Sequence, residues 1–67
     1  MEEDRYTEII LRVMKRRKFA MTTREIAQVA LMSSVTARKK LDILREKRKI
    51  GAIMFGNQLL WVTIERF

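Results

Sequence analysis

Ser33, Ser34, Thr36, Arg38 and Lys39 stand within seven consecutive positions, and every one carries a hydrogen-bond donor. Thr22, Thr23 and Arg24 form a second such group shortly before them. Donors and cations at this density suit a polyanion. Hydroxyls and helix-end amides hold phosphate oxygens, and an arginine fork takes O6 and N7 of guanine together. This is chemistry of holding rather than bond-making. The 67 residues include no histidine and no cysteine. Serine and aspartate remain, but no imidazole links them into a nucleophile–base pair. Thiolate and zinc-finger sites are excluded for the same reason. The chain is therefore expected not to be an enzyme, with no metal site and no cofactor.

Charge sharpens the expectation. The net charge is +7, and it is unevenly placed. Residues 1–8 hold Glu2, Glu3, Asp4 and Glu8 against Arg5, a balance of −3. Residues 9–50 hold thirteen Lys or Arg against Glu25, Asp42 and Glu46, a balance of +10. Residues 51–67 hold one charge of each sign. A basic middle segment suits nucleic acid. No apolar run approaches the ~18 residues of a membrane span, and no signal peptide is evident. A single domain over residues 1–67 is expected, cytoplasmic, with no membrane partner and no small-molecule substrate.

The elements that must position the donors are legible in outline. Tyr6, Ile9, Ile10, Val13 and Met14 follow helical spacing and predict a first helix over residues 4–18. Asp4 is its expected cap, and Leu11 lies to one side of its stripe. Lys15, Arg16, Arg17 and Lys18 suit its C-terminal dipole. A short apolar bridge, residues 19–21, reads as strand-like. Thr22-x-x-Glu25 is a capping box and predicts a second helix over about 23–30. Ser33 and Ser34 offer another N-cap, which predicts a third helix over 34–47. Ala37, Leu41 and Leu44 face inward on it, which turns Arg38 outward.

Residues 50–55 and 58–64 alternate and are rich in β-branched and aromatic side chains. Gly56-Asn57 between them suits a two-residue hairpin turn. Ile53 and Phe55 share one face. Leu60, Val62 and Ile64 share one face of the partner strand, with Trp61 on the other. Phe55 and Trp61 read as a base-stacking surface or, with more weight, as core or dimer contact.

Helix, short strand, two helices joined by a tight turn, then a hairpin: in this order the chain resembles winged helix-turn-helix transcriptional regulators, closest to compact members from archaea and their viruses. Glu25-Ile26-Ala27, Ser33-x-x-Thr36-Ala37-Arg38, Leu41-x-x-Leu44 and Ile50 carry the resemblance. It implies an α+β fold of three helices followed by a two-stranded wing. It also implies sequence-specific binding of double-stranded DNA with helix 34–47 in the major groove. Thr22, Thr23, Arg24, Ser33, Ser34, Thr36, Arg38, Lys39, Asn57 and Gln58 are the expected DNA contacts. The alternative is a winged-helix module that docks protein or structured RNA. The sequence departs from the family in two turns: Leu31-Met32 and Arg48 stand where glycine is common.

A domain this small buries only ~60% of its unfolded surface, and no disulfide or metal is available to support it. A homodimer is therefore expected. Leu11, Trp61 and Phe67 are its candidate interface residues, and an inverted repeat is its expected site.

Overall fold

A computed structural model of the chain describes residues 5–17 and 20–64. The order is α1 (Arg5–Arg17), β1 (Met21–Thr22), α2 (Thr23–Ala30), α3 (Ser34–Glu46), β2 (Ile50–Phe55) and β3 (Gln58–Thr63). The sheet is antiparallel, with strand order β1-β3-β2. The expected hairpin is present, and β1 makes it a three-stranded sheet.

The boundaries of α2, the end of α3 and the hairpin turn have local causes. Thr22 Oγ1 accepts from the Glu25 N–H (3.1 Å), and the Glu25 carboxylate accepts from the Thr22 N–H (3.0 Å). The capping box starts α2 as the sequence predicts. Leu31 stops it in the left-handed region (φ 59, ψ 50). The Leu31 N–H bonds the Gln28 carbonyl (3.3 Å) and the Met32 N–H bonds the Ala27 carbonyl (3.0 Å), a Schellman pair. Arg48 (φ 61) closes α3 in the same way. Its N–H reaches the Arg45 carbonyl (2.9 Å), and the Lys49 N–H reaches Leu44 (3.0 Å). The two non-glycine departures from the resemblance are thus the two residues that adopt the conformation glycine favours. The hairpin closes with Phe55 opposite Gln58, across Gly56 at φ 64. Glycine first in a two-residue turn is the type II′ pattern.

The core joins all three helices to the sheet. Ile10 and Met14 of α1 meet Ile26 of α2, Leu41 and Leu44 of α3, and Met21, Ile50 and Trp61 of the sheet. The buried line of α1 is Thr7, Ile10 and Met14. It is rotated from the predicted stripe, since Tyr6 is 47% exposed. The smaller Thr7 takes the inward place beside Ile10, and Tyr6 stays at the surface. Asp4, Lys18 and Phe19 lie outside the described residues.

Trp61 requires a correction. As a candidate interface residue it needs an exposed surface, yet it is fully buried within its own chain, which leaves the core alternative. The register puts it opposite Met21 on one side and Ala52 on the other. Its side chain shares the helix-facing side of the sheet with theirs. The face carrying Ile53, Phe55, Leu60 and Val62 points away from the helices. Trp61 is a core residue. Leu11 is half-buried and packs against the core from one side, and Phe67 lies outside the described residues.

Candidate nucleic-acid interface

The donor-rich segment folds as a short helix, a three-residue turn (Leu31, Met32, Ser33) and a second helix. Ala37, Leu41 and Leu44 are fully buried and fix the rotation of α3 about its axis. At about 100° per residue, the line opposite them runs through Val35, Lys39, Asp42 and Glu46. All four are exposed. Val35 keeps 67% of its surface open, although it is apolar. The sequence reading missed it. Its signal was a β-branched residue at the start of a helix, off the stripe formed by Ala37, Leu41 and Leu44.

Several expected contact residues are engaged within the chain. Ser33 Oγ accepts from the Thr36 N–H (3.1 Å) and donates to Thr36 Oγ1 (3.0 Å). Its only hydroxyl hydrogen is therefore spent on Thr36, while Thr36 keeps its own to donate. Thr22 Oγ1 is taken up by the α2 cap. Thr23 Oγ1 accepts from Trp61 Nε1–H at 2.8 Å, which leaves the Thr23 hydroxyl hydrogen free to donate outward. Arg24, Ser34 and Lys39 are exposed.

Arg38 is exposed as expected but does not project alone. Its Nε lies 3.3 Å from Asp42 Oδ1, with both side chains about half exposed (52% and 51%). Its guanidinium carbon lies 5.7 Å from the centroid of the Trp61 ring. An exposed i,i+4 pair is worth only ~0.3–0.5 kcal/mol, so a phosphate or a guanine edge can displace Asp42. Trp61 thus joins the two donor groups. It is bonded to Thr23 at the start of α2 and lies beside Arg38 on α3. Lys40, on the opposite flank of α3, has its ammonium 5.6 Å from the Tyr6 ring centroid. Asn57 and Gln58 are exposed at the hairpin turn.

Among the described residues, no group of three or more His, Cys, Asp or Glu could hold a metal ion. No helix among them is long and apolar enough to cross a membrane.

No family model matches the chain, and no curated protein does. One solved structure does match, a point mutant of Lactococcus lactis ZitR. It superposes with a TM-score of 0.70 over 98% of this chain, at 22% sequence identity. The fold is a winged helix. At that identity the likeness is one of fold. The chain spans 49% of the ZitR chain, about half its length. The expected closeness to archaeal members gains no support from this match.

Proposed function

We propose that this chain is a sequence-specific, double-stranded-DNA-binding regulator of transcription. It places α3 in the major groove and works in the cytoplasm as a homodimer. The observation that carries the reading is the rotation of α3. Burial of Ala37, Leu41 and Leu44 projects Ser34, Val35, Arg38 and Lys39 from the helix's N-terminal half. That half is the part that reaches base edges in winged-helix docking.

The residues then divide by chemistry. Arg38 takes a guanine edge once it leaves Asp42, and the Val35 methyls suit the methyl of thymine. Lys39 supplies charge on the same outward line. Arg24 and Ser34, with the remaining hydroxyl hydrogens of Thr23 and Thr36, suit phosphate oxygens and fix register. Thr22 and Ser33 act mainly by starting the two helices, so their contribution to DNA is through helix placement. Asn57 and Gln58 give the wing a short polar tip. The +10 balance over residues 9–50 supplies the sequence-independent attraction.

Selection of bound fragments from random duplex DNA tests the reading. The expected result is an enriched motif with an inverted repeat, each half containing G and T positions. No enrichment, together with no binding to any duplex at low salt, overturns it.

A further inference from the structure

The hairpin is chemically unlike the rest of the molecule. Residues 50–64 contain no charged side chain, in a chain of net charge +7. A wing that attracts phosphates through charge needs cations, and residues 50–64 supply none, only the polar tip of Asn57 and Gln58. Its exposed large residues are instead Ile53 (48%), Met54 (64%) and Phe55 (73%).

The same hairpin has an open edge. The order β1-β3-β2 places β2 at the margin of the sheet, with no described strand beyond it. Every residue from Ile50 to Phe55 pairs with β3 on the inner side only. In an antiparallel ladder, alternate residues turn their N–H and C=O away from the partner strand. Phe55 and Gln58 close a two-residue turn and so form a bonded pair. Ile53 and Gly51 then also bond β3, and Met54, Ala52 and Ile50 offer their backbone groups to the open edge. Natural edge strands are protected by lysine, proline, a bulge or a covering element. The segment Ile50–Phe55 has no charge and no proline, and its register is unbroken.

We propose that β2 is the self-association surface of this protein. Two copies pair antiparallel along it, about a two-fold axis perpendicular to the sheet, and make one continuous sheet of six strands. Three arguments favour a second copy as the occupant. Two chains of +7 approach with least repulsion through their uncharged parts. A two-fold axis at Ile53 sets Ala52 opposite Met54 of the partner subunit, which pairs the backbone groups that both edges leave open. The same axis sets Gly51 opposite Phe55 of the partner subunit, so a small residue faces a large one on each side of the sheet. The placement rests on the self-association proposed above and moves its interface away from Leu11, Trp61 and Phe67.

Sedimentation equilibrium of the full chain at micromolar concentration and high salt tests this, with far-UV circular dichroism as the folding control. Wild type is expected at the dimer mass. Ile53→Lys and Phe55→Lys are expected at the monomer mass with unchanged helix content. Amide exchange on wild type gives a readout that needs no variant. Ala52 and Met54 should gain protection as concentration rises. A monomeric wild type refutes both the dimer and its placement. A dimer that both lysine variants leave intact, or whose Ala52 and Met54 amides stay open, refutes the placement alone.

Discussion

Replacing Leu31 with glycine should stabilise this protein. Leu31 holds φ 59 and ψ 50, the left-handed region, at the turn between α2 and α3. A side chain there brings Cβ close to the following carbonyl, at a cost of roughly 1–2 kcal/mol. Glycine removes that cost and adds roughly 0.5–1 kcal/mol of backbone entropy lost on folding. The packing term is near zero, because Leu31 is 90% exposed. The net gain is therefore between about 0 and 1.5 kcal/mol, with a mid-range value of about 0.75 kcal/mol. For a domain of this size that mid-range value corresponds to a rise in Tm of roughly 3–6 °C. Leu31→Ala isolates the cause. Alanine keeps the Cβ and discards only the exposed part of the side chain, so its stability should stay near that of wild type. Thermal and urea unfolding followed by circular dichroism, with all three proteins at one concentration, measure the series. If Leu31→Gly proves no more stable than Leu31→Ala, the backbone argument is wrong at this turn.

Further outcomes are expected from four tests. Arg38→Ala should cost ~1–3 kcal/mol on the selected site and relax its base preference, whereas Asp42→Asn should tighten binding by releasing Arg38; titrations on selected and scrambled duplexes measure both. Affinity should fall with salt at a log–log slope of about −5, as six phosphate contacts require; a slope near zero in a salt titration removes the electrostatic account. Thr22→Ala should lower stability by ~1 kcal/mol through loss of the α2 cap, without changing base preference. Trp61→Ala should cost ~3–5 kcal/mol and unfold much of the population at room temperature; Trp61→Phe, which loses the Thr23 bond but fills most of the space, should remain folded in the same melt.

The features legible in the sequence were those set by near neighbours. Thr22-x-x-Glu25 fixed the start of α2 because both partners of the capping box lie within one turn. Gly56-Asn57 fixed the register of the hairpin because a two-residue turn admits little else. Ala37, Leu41 and Leu44 gave the inward face of α3 for the same reason. Alternation alone, by contrast, divides a strand into two faces without saying which is buried. Leu60, Val62 and Ile64 made the more apolar face, yet Trp61 lies inward, because the helices pack on its side of the sheet and Met21 joins it there through a contact forty residues away in sequence. The ion pair of Arg38 is local, since Asp42 stands four residues on. The reading missed it by treating Arg38 as a free donor. The conformations of Leu31 and Arg48 were hidden for another reason. Residue type showed only that glycine was absent, and the demands of the two turns override the preference of the residues that occupy them.

Trp61 is the sole tryptophan of the chain. It is fully buried, bonded to Thr23, and lies beside the Arg38 guanidinium. That arrangement gives the protein a built-in optical reporter at the junction of its two donor groups. Unfolding exposes the indole to water and should shift its emission to the red. Departure of Arg38 toward a bound duplex changes the electric field across the ring while the indole stays dry, so intensity should change with little shift in wavelength. The two events then have separate spectral signatures, and one unlabelled sample reports both stability and engagement.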